Sequence, residues 1–211
     1  MTARQRAQRV EAQADRGNGE RKLYLLDRMS SDFPLVAMSL SQENISAHGH
    51  DFVELVYVRS GSCTHLHADR RYPIFAGDCF VILPGEEHGY EEQQGLEITN
   101  VLFFPHLLKH HHADLTSVPG FMRFFAIEPF FRSETSFRYK LHLSSTQQDT
   151  MATYCSSMEE ELSGRQPGYK SLCTGLLLQM VVFLSRCFDL SISSQNVRTE
   201  FNGKQKMVEA A

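Results

Sequence analysis

Two histidines and a glutamate sit at alternate positions in one short stretch, His48-Gly49-His50-Asp51-Phe52-Val53-Glu54. On a β-strand, side chains two and four residues apart point to the same face. The stretch would then present two imidazoles and a carboxylate together, a donor set suited to a first-row divalent metal. His88, just past a Leu83-Pro84-Gly85 turn, offers a further donor. Together His48, His50, Glu54 and His88 define one of three things. They form a 3-His/1-carboxylate site for Zn, Ni, Fe or Mn, or a polar barrel mouth that hydrogen-bonds a small ligand directly, or they serve the structure of the barrel alone. Tyr90 shares the parity of His88 and would either wall the same pocket or serve as ordinary barrel filling. Asn100 shares the parity of Ile98 and Leu102, so it is expected beside apolar neighbours. A buried amide needs hydrogen-bond partners, which a polyhydroxyl ligand or a neighbouring loop backbone would supply.

Other histidines carry weaker signals. His65 and His67 alternate after Gly61 and are expected mainly on a solvated face, with an inward pair as the sharper alternative. His110-His111-His112 lies in polar surroundings and is expected in a solvated loop. No Gly-rich phosphate loop, Gly-x-Ser-x-Gly or informative Cys/His spacing marks phosphate handling or nucleophilic catalysis.

The elements that must position these residues read as β first and helical last. Short apolar or alternating runs cover Leu23–Leu26, Leu35–Met38, Phe52–Val58, Thr64–Ala68, Tyr72–Phe75, Phe80–Leu83 and Leu96–Phe104. Ser60-Gly61-Ser62, Ala76-Gly77-Asp78, Pro84-Gly85 and Gln94-Gly95 punctuate them as turns, the texture of a small sandwich or barrel. Pro119–Phe125 then suggests a short apolar helix or loop packed on the barrel. Gln147–Leu162 is helical by period, with Met151, Tyr154, Cys155, Met158 and Leu162 on one side. A second helix is expected from about Tyr169 to Phe188, lined by Leu172, Leu176, Gln179, Met180 and Phe183. It is apolar around more of its circumference than one contact face requires, which suggests a two-fold homodimer.

At 211 residues, with 42% hydrophobic and 22% charged, the chain suits one soluble domain with an accessory element. A net charge of −4 argues against nucleic-acid binding by this chain alone. The five cysteines form no CxxC pair and suggest buried free thiols in a reducing cytoplasm. No signal-like apolar region opens the chain, and the longest apolar run, Leu176–Leu184, contains Gln179 and is too short for a bilayer. The expected organisation is an extension over residues 1–20, a barrel over 21–135, a helical dimerisation segment over 136–190, and a polar linker over 191–211. The linker's last residues, Lys204–Ala211, could begin another helix.

His48-x-His50, Glu54 and Gly61, followed by Gly77, Leu83-x-Gly85 and His88, resemble the two-block cupin signature. The chain departs from that pattern at Leu83, where Pro is usual, and at Glu92, where Asn is usual. A longer resemblance is carried by His50–Val58, Ser60-Gly61, Tyr72-Pro73-Ile74, Ala76-Gly77-Asp78, Ile98–Phe103 and Phe125–Phe131. These segments look like the sensor domain of AraC-type transcriptional regulators, most similar to the rhamnose-responsive branch. The resemblance implies a mainly β fold with C-terminal helices: a cupin (double-stranded β-helix, jelly-roll) barrel followed by an antiparallel helix pair. It also implies a small effector, often a sugar, in the barrel, and homodimerisation through the helices. DNA would be contacted only by a helix-turn-helix domain lying beyond Ala211, and no membrane is involved. The competing expectation is a stand-alone metal-dependent cupin enzyme, a sugar isomerase, lyase or dioxygenase, using the same four residues.

Overall fold

The computed structural model describes residues 33–67, 70–129 and 140–209, with side chains as far as Ser193. Among the described residues, alternating segments pair into one antiparallel sheet of seven strands. These are β1 (Leu35–Ser41), β2 (Ile45–Gly49), β3 (Val53–His67), β4 (Arg70–Phe75), β5 (Asp78–Ile82), β6 (Glu87–Phe103) and β7 (Leu141–His142). The order is β1-β6-β3-β5-β7, with β2 also on β6 and β4 also on β3. A 3-10 turn (Pro105–His111), a short helix α1 (His112–Ser117) and a π-type turn (Arg123–Ile127) follow β6. Then come α2 (Ser145–Gly164) and α3 (Tyr169–Glu209), packed together after the sheet. The expected architecture, a cupin-type barrel followed by an antiparallel helix pair, is the one observed. The expected strand Leu23–Leu26, the extension over 1–20, Ala68 and the Phe130-Phe131 pair lie outside the described residues.

The sheet has two apolar faces, and each builds a core. Val56, Val58, Cys63, Tyr72, Ile74, Phe80, Ile82, Tyr90, Leu96 and Ile98 fill the inside of the barrel. Val53, Leu55, Tyr57, Val81, Val101 and Phe103 alternate with those residues and pack outward against the helices. There Met151, Cys155 and Met158 of α2 meet Cys173, Leu177, Val181, Leu184 and Phe188 of α3. A strand with both faces covered is apolar at every position, which is why residues 53–58 are all buried.

Several expected boundaries shift. Ser60-Gly61-Ser62 and Gln94-Gly95 are not turns between strands but irregular points inside two long ones, β3 and β6. The β3–β6 register slips between Val58 and Ser60, Ser60 and Ser62, and Ser62 and Thr64. Each slip is a bulge that bends the strand without ending it, so the two strands curl around the barrel. Gly61 lies at φ +75°, and a Cβ there would collide with the Gly95 carbonyl. Gly61→Ala is therefore expected to lower stability by more than about 1 kcal/mol in chemical denaturation, through strain and collision together.

The helices differ from expectation in length and phase. Ser144 caps α2 in a reciprocal capping box with Gln147, which starts the helix two residues before the periodic pattern does. α3 continues past Phe188 to Glu209 rather than giving way to irregular linker at Ser191. The residues from Ser191 onward are polar, but no Pro interrupts them, and extending an existing helix costs far less than nucleating one. The stretch Tyr169–Ser193 is long and apolar enough, by length and composition alone, to cross a bilayer. Its buried side is Cys173, Leu177, Met180, Val181, Leu184 and Phe188. Of the stripe expected to line it, Met180 is on that side, while Leu172, Leu176, Gln179 and Phe183 lie beside it and are partly open, with Leu172 56% exposed. His110-His111-His112 spans the end of the 3-10 turn and the start of α1 rather than a loop, with His110 and His112 exposed.

All five cysteines are free and buried. Burial raises the Cys63 and Cys155 thiols to about 12, Cys173 to about 11, and Cys79 well above its ordinary value. Thiols of the unfolded chain ionise near the ordinary value of 9.0 while these stay protonated in the native state. Stability is thus complete below that pH and falls as pH climbs beyond it. Urea midpoints measured at about pH 8 and about pH 10 should show the loss. A thiol reagent should react only as the protein unfolds.

Candidate functional site

The donor atoms of His50, Glu54 and His88 lie within 4.8 Å of one another, and all three residues are buried. They reach this point from three segments, not one strand. β2 ends at Gly49, the chain bends at Asp51 and Phe52, and Glu54 enters from β3. The expectation that His48, His50 and Glu54 share one continuous strand is therefore corrected. His88 comes from β6, whose register sets it opposite His48 on β2 and opposite His67 on β3.

The hydrogen bonds around His50 decide its tautomer. Its Nδ1 is 2.9 Å from the Phe52 carbonyl oxygen. A carbonyl only accepts, so Nδ1 carries a proton, and in the neutral ring Nε2 is then the nitrogen left to ligate. That Nε2 faces Glu54 Oε2 at 3.0 Å, and His88 Nε2 faces the same oxygen at 3.4 Å. Neither nitrogen forms an aligned hydrogen bond with the carboxylate or any other group among the described residues. Burial, reinforced by the surrounding histidines, holds the His88 pKa well below 6.5, so its imidazole stays neutral. Lone-pair atoms converging on one buried point repel unless a cation lies among them. The donor set therefore fits a divalent ion held by His50, Glu54 and His88, with the Phe52 carbonyl orienting one ligand. The ring of Phe52 stacks on His50 at 4.2 Å and fixes its plane.

His48 stands beside this group rather than in it. It is half-buried, its ring centroid is 4.4 Å from that of His88, and its Nδ1 donates to the Ser46 carbonyl at 3.1 Å. Burial lowers its pKa. Tyr90 is buried with its ring 5.9 Å from His88 and 5.4 Å from His65, inside the barrel as expected. Asn100 is half-buried at the register position of Val56, and its Oδ1 is buried without a hydrogen bond.

The largest correction concerns His65 and His67, which are 0% and 8% exposed. The solvated face expected for them assumed unbroken alternation along the strand. The three register slips reverse the parity: even positions Glu54, Val56 and Val58 face inward before them, and odd positions Cys63, His65 and His67 after them. His65 then packs 4.8 Å from Phe80 and 5.9 Å from His88. A bulge-prone Ser-Gly-Ser between two alternating runs is the signal that could have revealed this. Five histidines thus gather on or beside the inner face, two more than the alternation of His48, His50 and His88 implies.

The sequence profile of the AraC-like ligand binding domain matches residues 35–180. Over 102 residues the chain is 35% identical to the HTH-type transcriptional activator RhaR of Escherichia coli strain K12, covering 47% of this chain and 36% of that protein. RhaR of Shigella flexneri serotype 5b matches to the same extent. The alignment thus spans only about a third of the length of these relatives. Among solved structures, the AraC-like transcriptional activator CuxR aligns over 70% of this chain and 52% of its own, at 16% identity and a TM-score of 0.41. A predicted oxalate decarboxylase from Thermotoga maritima aligns over 33% and 64%, at 26% identity and a TM-score of 0.29.

Proposed function

Because the chain belongs to the family of AraC-like ligand binding domains, by a match over residues 35–180, we propose that it is the effector-sensing and dimerisation part of a cytoplasmic transcriptional regulator. One observation carries this reading: buried polar atoms of His50, His88 and Asn100 face the barrel's inner side without hydrogen bonds among the described residues. Buried polar groups need partners, and a small polar effector entering the barrel would supply them. The effector is a pentose or deoxyhexose sugar, surrounded by His48, His50, Glu54, His88, Tyr90 and Asn100. A divalent ion held by His50, Glu54 and His88 would act as an electrophilic anchor for its oxygens. DNA is contacted only through a domain outside this sequence. Isothermal titration with free pentoses and 6-deoxyhexoses tests the reading. Absence of binding to every sugar, by a folded protein, removes it.

Dimerisation would use α3. Leu172, Leu176, Phe183 and Leu190 follow at steps of four, seven and seven residues, which keeps them on one helix face, and Leu172 and Leu190 are 56% and 63% exposed. Joining two such stripes across a two-fold axis covers both. Leu172→Glu combined with Leu190→Glu is expected to shift a micromolar sample from dimer to monomer in sedimentation velocity, leaving the fold intact. An effector that prefers one packing of the helices would bias the spacing of the attached DNA readers. Three protein donors also leave a coordination position open, as the alternative of a metal-dependent enzyme requires. Turnover of a sugar by the metal-loaded protein would favour that alternative.

A further inference from the structure

We infer that His67 and Glu86 form a second recognition point in the barrel, one that reads a hydroxyl group of the ligand. This inference rests on the reading that the barrel holds a small effector. His67 is buried, and neither of its ring nitrogens makes a hydrogen bond among the described residues. Its Nε2 faces Glu86 Oε1 across 3.6 Å, beyond hydrogen-bond length.

The carboxylate is held at that distance by its own turn. Glu86 Oε2 accepts the Leu83 N–H at 2.8 Å, and the Glu86 N–H donates to the Leu83 carbonyl at 3.1 Å. The Gly85 N–H donates to the carbonyl of His50 at 2.8 Å, which ties the turn to the other end of the site. Pro84 followed by Gly85 at φ +86° suits such a turn. One carboxylate oxygen is thus occupied and the other is left toward His67.

The chemistry of the gap selects its occupant. An anion is repelled by Glu86. A metal needs more donors, and the three that converge are His50, Glu54 and His88, without this pair. A hydroxyl fits, because it accepts from an imidazole N–H and donates to a carboxylate at once. An oxygen about 2.8 Å from each atom closes a triangle on the observed separation. His67 pairs with His88 in the β3–β6 register, and such cross-strand neighbours sit about 5 Å apart. A ring-sized polyol could therefore reach the three-donor cluster with one oxygen and the His67–Glu86 gap with another.

The test uses the intact chain, with pentoses, 6-deoxyhexoses and monodeoxy analogues of the best binder, in isothermal titration. His67→Phe and Glu86→Gln should each weaken the best sugar about 10- to 100-fold. Both variants should cost nothing further for the one deoxy analogue that lacks the hydroxyl read here. His67→Phe should also raise the melting temperature of the ligand-free protein, because it removes a buried group without hydrogen bonds, and it should leave metal content unchanged. Wild-type binding that both variants leave intact overturns the inference alone, and assigns the gap to ordered water. A wild-type protein that binds no sugar overturns the effector reading and this inference with it.

Discussion

Glu54→Ala is expected to strip the barrel of bound divalent metal, lowering affinity by at least about 100-fold in a competition titration against a chromophoric chelator. The carboxylate is 5% exposed and is the group that both His50 Nε2 and His88 Nε2 face, at 3.0 and 3.4 Å. Removing it leaves two neutral imidazoles, too few donors to compete with water for the ion. Glu54→Gln keeps the shape and removes the charge, so it should fold normally and still lose the metal. Sugar affinity should fall together with metal content if the ion anchors the ligand. A Glu54→Ala protein whose metal content and sugar binding both match wild type would refute the site.

Phe80→Ala is expected to cost about 3–5 kcal/mol in equilibrium denaturation, the range for emptying a buried aromatic site. Phe80 is 0% exposed inside the barrel and packs 4.8 Å from His65. The cavity would lie directly behind the histidines, so ligand affinity should fall as well. Phe75 provides the contrast. It is 52% exposed, with Lys140 Nζ 5.2 Å from its ring, and Phe75→Ala should cost less than about 1 kcal/mol. Similar losses at the two positions would mean that the inner face is not the core described above.

Much of the site was legible in the chain because its chemistry is written in residue types at short range. His50, Glu54 and His88 stood out by spacing and by the turn before His88, and the structure brings their donor atoms together. His48 stood out equally, yet it flanks the group, because its Nδ1 is drawn back to the Ser46 carbonyl. His65 and His67 face inward against their local pattern for a different reason. Their facing depends on bulges opposite β6, and a bulge is a property of two strands paired in register. Glu86 carried no signal at all, since its position depends on a turn anchored to His50.

The same division runs through the fold. Local pattern determined that strands come first and helices last, that α2 buries Met151, Cys155 and Met158, and that the thiols are buried. Hydrophobic period and turn residues act over a few positions, so they survive without knowledge of the partner. Tertiary structure alone decided that β3 and β6 run unbroken through their glycines, and which side of α3 the sheet covers. It also decided that five histidines gather at the barrel's inner face. Those outcomes depend on register between segments tens of residues apart, and a one-residue slip in register turns every following side chain to the opposite face.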